Sequence, residues 1–578
     1  MPKSAIAERR EVFCVLRDGV RLRTTLLIPH GDGPWPALLT RHPYDVRGDE
    51  DSTLVDVTRF VDAGFLVALQ DVRGRYGSEG EFDPSAQEVR DGADAVAWLA
   101  NLPECTGVVG MWGASYASET QVSALIGGAP ALRAIVPAVT PVASSHLGFR
   151  FRGGVPEVGS MLAWAHYPIA PDRIARIQDP AERAAELERW NAVDRAFQDG
   201  SLFRAGLLSS PLDADATTRW MLEQLRAELD SPLHDVGKVA GRWDALDVPA
   251  LIIGGWFDVF LGSTLEVYRR LRERSDAGGG PMPHLVIGPW SHNDYSGRLG
   301  DIDHGPSASA DDLGGEDYTA LHLAFFDSVL RGSDAFADRA PVRVFLMGEN
   351  RWVELDDLPA PGSTERALHL TADGGLAHEP GRSGSRSFVS DPTDPVPTRG
   401  GATLLAPPYA PGPFDQSDLD ARPDVLGWTS APLEDDLTVI GPVRAVVHVA
   451  TTGTDADVVV RLCDEHPDGR RILIADGVQR ASARGLDPVT GRGERRPVTP
   501  GAIEEYAVDL WATAHVFRRG HRIHVVVTSS SSPRWEVGSS DFPPADGPGA
   551  PAELTIHVGV DHPSRLLLTN PPRTSQKD

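Results

Sequence analysis

At 578 residues the chain exceeds what one hydrophobic core supports, which implies two or three domains. Its 55 basic and 82 acidic residues leave a net charge of −27, which repels nucleic acid and anionic membrane and argues against both as partners. A hydrophobic content of 41% with 24% charged residues is ordinary for a soluble globular protein, and Cys14, Cys105 and Cys463 are too scattered for a disulfide framework or a C-x-x-C metal site.

The first ten residues contain no apolar run, so no secretory signal is expected, and a cytoplasmic location suits the unpaired cysteines. A hairpin is predicted from Val12 to Ile28 around Asp18-Gly19. The runs at Ala37-Leu38-Leu39 and Phe65 to Leu69 are apolar throughout, as strands covered on both faces are. Helical spacing of Val89, Ala93, Val96 and Ala97 follows, then a strand over Val108 to Trp112 and another over Leu132 to Val139. Ala124 to Ser145 is weakly polar but interrupted by Pro130, Arg133, Pro137 and Pro141, which excludes a membrane span.

From His146 to Ala240 the texture is helical, rich in Ala, Arg, Glu and Asp. Strands return at Ala250 to Ile253, His284 to Ile287 and Val342 to Leu346, with a helix over Tyr318 to Leu330. Beyond Gly348 short β-rich runs separated by Pro/Gly turns predict a β-sandwich or jelly roll. The expected architecture is therefore a helix-flanked sheet domain of α/β class (1–145 and 241–348), a helical insertion (146–240) and a C-terminal β-sandwich or jelly-roll domain (349–578).

The chemistry centres on Gly113-Ala114-Ser115-Tyr116-Ala117, between a strand and a helix. A nucleophile elbow needs small residues two before and two after the serine, and it aims the first helical N–H groups, beginning with that of Tyr116, at a developing oxyanion. Ala117 departs from G-x-S-x-G, and the pentapeptide alone also fits an ordinary strand-to-helix turn. Asp258, after the strand at Leu251 to Ile253, and His292, after the strand at Leu285 to Ile287, supply the rest of a triad in the order Ser, Asp, His. Serine needs an imidazole to accept its proton, and the imidazole needs a carboxylate to fix its tautomer and stabilise its cation.

With the elbow, Gly254-Gly255-Trp256-Phe257-Asp258, Gly288-Pro289-Trp290-Ser291-His292, Arg41-His42-Pro43-Tyr44 and Asp71-Val72-Arg73-Gly74-Arg75-Tyr76-Gly77-Ser78-Glu79-Gly80, the whole chain resembles the bacterial cocaine esterase group of X-Pro dipeptidyl-peptidase-like serine hydrolases. The resemblance implies an α/β-hydrolase domain, a helical insertion and a C-terminal jelly roll over the three segments above, and makes the Tyr44 phenol the second oxyanion donor beside the Tyr116 amide. It also implies an acyl pocket of Phe149, Trp164 and Phe260, Phe149 standing where the group has a tryptophan. Val259-Phe260-Leu261-Gly262 is apolar where amino-acid ester hydrolases carry acids.

His521-x-x-His524 reads as part of a strand, where that offset puts the side chains on opposite faces, so no metal pair is expected. The acidic loop Asp301 to Asp312 lacks a calcium register and reads as solvated. No metal and no cofactor are implied. The reading is a serine esterase acting on a small-molecule ester with an uncharged acyl group through an acyl-enzyme, as a monomer or homodimer. An X-Pro dipeptidyl-peptidase or α-amino-acid ester hydrolase using the same triad, or a catalytically inactive carbohydrate-binding protein, are the alternatives.

Overall fold

The computed structural model describes residues 6–47, 54–84, 87–203, 219–235, 238–239, 241–544 and 549–572. Its first layer is a ten-stranded sheet. The strands are β1 (Ile6–Val15), β2 (Arg21–Pro29), β3 (Trp35–His42), β4 (Leu66–Asp71), β5 (Cys105–Ala114), β6 (Leu132–Ala138), β7 (Leu251–Phe257), β8 (His284–Ser291), β9 (Val342–Leu346) and β10 (Arg351–Leu355), in the spatial order β1-β2-β4-β3-β5-β6-β7-β8-β9-β10. From β4 to β9 neighbouring strands are parallel, and the hairpins β1-β2 and β9-β10 close the two edges antiparallel.

The central strands are apolar throughout because alternate side chains enter different cores. Leu66 and Ala68 pack with α2 (Glu88–Ala100), α3 (Tyr116–Ile126) and α8 (Leu261–Asp276), while Val67 and Leu69 pack with α1 (Val57–Asp62) and α9 (Tyr318–Arg331). The sheet continues past residue 348, where the sequence pattern placed its end: β9 turns back through Asn350, at φ 54°, into β10, an edge strand of exposed and half-buried residues that resembles the β-rich texture that follows.

Between β6 and β7 the chain leaves the sheet. A short hairpin, Phe151–Arg152 with Val155–Pro156, precedes α4 (Val158–Trp164), α5 (Ala170–Ala175), α6 (Pro180–Gln198) and α7 (Arg219–Arg226). Asp179 caps α6, accepting from the Glu182 N–H at 2.8 Å, with Pro180 at the first helical position. Met161, Leu162, Phe197 and Met221 form a core that also takes in Phe260, the second residue after Asp258, so the insertion is anchored beside the C-terminal end of β7.

The C-terminal part is an eleven-stranded sheet system from Thr364–Leu370 to Arg565–Asn570, antiparallel apart from one pair, around its own core that includes Trp428, Val460, Tyr506 and Ile556. It docks on the insertion through Arg152, whose guanidinium stacks 3.6 Å from the Trp511 ring and lies 3.3 Å from Asp476, and through Trp535, which donates to Glu157 at 2.8 Å. No described helix is long and apolar enough to cross a membrane.

Candidate active site

Ser115 joins β5 to α3 at φ 58° and ψ −122°, a strained conformation for a side-chain-bearing residue. Its neighbours explain how the strain is tolerated. Gly113 sits at φ 140°, and a Cβ placed there would meet the Ala117 Cβ at 2.5 Å, so neither position admits a larger residue without displacing the turn. The Ser115 hydroxyl makes no capping bond to its helix, which leaves it to other partners. The first backbone N–H groups of α3 have no intrahelical acceptor, and that of Tyr116 leads them.

Tyr116 also secures the turn. Its hydroxyl donates to Glu88 Oε1 at 2.9 Å, and Glu88 is ion-paired with buried Arg41 at 2.8 Å, tying the elbow to α2 and β3. Tyr44 follows β3 in a loop held from several sides. The Tyr44 N–H donates to His42 Nδ1 at 3.2 Å, the two rings stack 5.6 Å apart, and Arg75 donates to the Pro43 carbonyl at 3.0 Å and the Ile169 carbonyl at 2.8 Å. Asp71 accepts from the Val46 and Gly77 N–H groups, each at 3.1 Å. The Asp71 to Gly80 segment thus braces the tyrosine loop against the insertion.

The Tyr44 phenol accepts from Trp164 Nε1 at 3.0 Å and lines the same cavity as Ser115. Burial pushes the phenol up to about 12, so it remains a protonated donor at neutral pH. Asp258 and His292 pair at the ends of β7 and β8. His292 Nδ1 lies 2.8 Å from Asp258 Oδ1, and both side chains are buried. A carboxylate on Nδ1 directs the other ring nitrogen to act as base. Phe260 meets the His292 ring edge-on, with centroids 5.0 Å apart.

Ser115, Tyr44, Tyr116, Phe149, Trp164 and Phe260 line one cavity of about 540 Å³. The Asp258–His292 pair is not part of its lining and adjoins it through Phe260. Trp164 stacks on Tyr116 at 6.3 Å, and Phe149 packs on Phe260 at 5.8 Å. Sequence reasoning overlooked Met161, Trp220, Met221 and Leu404 in the wall; they come from the insertion and the C-terminal part and carry no local motif.

It also missed charge. Glu119 and Arg150 line the cavity, so the wall is not free of acid. Glu119 stands one helical turn after Ser115, which was a readable signal. Its carboxylate is engaged by buried Lys238 at 3.1 Å, and Lys238 and Arg150 lie 4.1 and 4.8 Å from the Phe149 ring centre. Burial pulls Arg150 down to about 10, which leaves it charged at neutral pH. One carboxylate and two cations thus surround the Phe149 end of the cavity.

A largely parallel sheet covered on both faces, with a serine elbow at a strand end beneath an inserted helical cap, defines the α/β-hydrolase class. The sequence comparisons agree. A family described as X-Pro dipeptidyl-peptidase (S15 family) matches residues 18–294, and its C-terminal non-catalytic domain matches residues 334–567. Cocaine esterase of Rhodococcus sp. (strain MB1 Bresler) is 34% identical over 96% of this chain and 97% of its own length. The chain belongs to this family of serine hydrolases, together with cocaine esterase. Among solved structures, an aminopeptidase from a marine sediment archaeon (Thaumarchaeota) superposes with a TM-score of 0.81 at 27% identity, covering 98% of this chain and 97% of that one. An α-amino acid ester hydrolase superposes with a TM-score of 0.75 at 25% identity, again covering 98% and 97%.

Proposed function

We propose that the protein is a serine esterase that cleaves small-molecule carboxylic esters of uncharged, aromatic or apolar acids through an acyl-enzyme, without a cofactor. Ser115 attacks the ester carbonyl while His292 takes its proton and returns it to the leaving alcohol. Asp258 holds the imidazole in the right tautomer and stabilises its cation, and the Tyr44 phenol and the Tyr116 amide receive the oxyanion. Water then repeats the cycle on the acyl-enzyme.

The observation that carries the substrate class is the wall of the serine cavity. Phe149, Trp164, Trp220 and Phe260 offer aromatic surface to an acyl group. An α-amino ester or an X-Pro peptide would bring an ammonium group into a cavity lined by Arg150 and by one carboxylate, Glu119, that is already paired with buried Lys238. Burying a like charge there is costly. This separates the chain from the relatives named for amine-bearing substrates and aligns it with cocaine esterase.

The test is a matched panel: nitrophenyl benzoate, a nitrophenyl alkanoate, a phenylglycine ester and Ala-Pro-anilide. The uncharged esters are expected to give kcat/KM at least about 100-fold above the amine-bearing substrates, as a penalty of about 2.7 kcal/mol for a misplaced charge requires. A higher value for Ala-Pro-anilide than for nitrophenyl benzoate would establish the peptidase alternative.

A further inference from the structure

At the seam between the α/β part and the β-rich part lies a second cavity, of about 590 Å³, lined by His304 from the first and by Asp464, His466, His515 and His521 from the second. The sheet register brings these together. Asp464 lies near the end of strand Asp457–Glu465, His466 follows that strand, and His521 stands one residue before its antiparallel partner Arg522–Thr528, with Glu465 opposite Arg522. His521 is therefore in the turn rather than in the strand, and it faces Asp464, while His524 bonds to Thr429 at 2.7 Å.

Asp464 Oδ1 accepts from His521 Nδ1 at 2.9 Å, and its Oδ2 accepts from His515 Nε2 at 3.0 Å and lies 3.8 Å from His466 Nε2. One donor atom each from Asp464, His466 and His521 lies within 4.8 Å of the other two. Tetrahedral zinc with bonds of about 2.0–2.2 Å holds its ligand atoms about 3.3 Å apart; the 2.9 Å between Asp464 Oδ1 and His521 Nδ1 is close to that, and the 4.8 Å limit on the set leaves the partly exposed His466 ring a short distance to close. The carboxylate is buried, whereas the His466 and His521 side chains are 22% and 17% exposed, which leaves an ion a way in.

Two further ring nitrogens in the same cavity wall have no partner among the described residues. His515 gives its Nε2 hydrogen to Asp464, and His304 gives its Nδ1 hydrogen to Asn350 Oδ1 at 3.2 Å. Each ring then presents a lone pair, on His515 Nδ1 and His304 Nε2, that is buried and has no partner among the described residues. Unmatched lone pairs in the wall call for an electron-pair acceptor or its bound water. The nearby cations are already committed: Arg518 pairs with Asp436 at 2.7 Å, and Arg470, 45% exposed and 3.4 Å from His466 Nδ1, pairs with Asp468 at 2.9 Å and is free to turn away.

We propose that Asp464, His466 and His521 bind one divalent transition-metal ion of the zinc type, which clamps the end of strand Asp457–Glu465 to the turn before Arg522. His515 holds the second carboxylate oxygen, the usual support of a metal-bound carboxylate. The ion replaces the hydrogen that His521 Nδ1 now shares with Asp464, and that hydrogen moves to Nε2. The site is separate from the serine cavity and takes no part in ester cleavage.

The test uses untagged full-length protein, stripped with EDTA, equilibrated with zinc chloride, desalted and analysed for metal, with calorimetric titration for affinity. The expected result is about one zinc per chain and a higher melting temperature with zinc than with EDTA. H466A/H521A should bind at least about 100-fold more weakly, and H515Q about tenfold more weakly, the loss typical of an outer supporting residue. Circular dichroism in EDTA checks that the variants fold, and D464N gives the same reading should the double variant fail. Zinc absent from the desalted wild type, or bound equally well by H466A/H521A or D464N, would overturn the proposal.

Discussion

Replacing Tyr44 by Phe removes one oxygen that is hydrogen-bonded to Trp164 and lines the serine cavity. The phenol accepts from Trp164 Nε1 at 3.0 Å, so its own hydrogen is left for the cavity it shares with Ser115, where the proposed mechanism puts the oxyanion. Loss of a single oxyanion donor costs about 2.7–4 kcal/mol in the transition state, about 10²–10³ in kcat. The indole N–H left without its acceptor costs about 1–3 kcal/mol of folding stability. Steady-state hydrolysis of nitrophenyl benzoate at neutral pH should therefore show kcat reduced by about 10²–10³ with KM changed less than about threefold, and a melting temperature lowered by a few degrees. Trp164→Phe keeps the phenol but releases it, so kcat should fall by only about tenfold, the worth of one hydrogen bond. A Tyr44→Phe effect confined to KM, or a smaller kcat loss than that of Trp164→Phe, would refute the oxyanion role.

Asp258→Asn should lower kcat by about 10⁴ with the fold intact, because the amide presents the wrong hydrogen-bonding face to His292 across the 2.8 Å contact; a loss below about tenfold in the same assay would place the support of the imidazole elsewhere. Lys238→Met breaks the buried pair with Glu119, so the melting temperature should drop by the equivalent of about 3–5 kcal/mol, and the kcat/KM ratio of phenylglycine ester to benzoate ester should rise, which the substrate panel reads directly. For pH, burial pulls His146, His234, His304 and His322 down to about 4 in the folded chain, against about 6.5 unfolded. The unfolded chain therefore binds more protons between those values; the stabilisation is complete above about pH 6.5 and is lost as pH falls toward 4. Melting temperature should decline across that window, and His322→Phe should flatten the decline by at most about 3 kcal/mol.

The strands and the two halves of the sheet, though not their spatial order, were legible because buried parallel strands leave unbroken apolar runs such as Phe65 to Leu69, and the elbow because steric crowding forces Gly113 and Ala117 to be small. Asp258 and His292 were legible as strand-end residues, a topological rule rather than a local one. What the sequence hid depends on contacts between distant segments. Nothing local links Trp164 to Tyr44, 120 residues apart, or brings Leu404 into the serine cavity. Glu119 lay in plain view one turn after Ser115, but its neutralising partner Lys238 arrives from the end of the insertion. His521 and His524 do part, His521 to Asp464 and His524 to Thr429, but His521 lies one residue before the strand that starts at Arg522, and its neighbour His466 comes from another strand end that no local pattern links to it.

The central claim is that Ser115 becomes acylated during turnover. Rapid mixing with excess nitrophenyl benzoate, followed by acid quench, digestion and mass spectrometry, tests it most directly. A nitrophenol burst approaching one equivalent per chain is expected where deacylation limits turnover, with a benzoyl adduct on the peptide carrying Ser115 and neither signal in a folded Ser115→Ala variant. Turnover that survives in Ser115→Ala, or an adduct carried by another residue, would contradict the account.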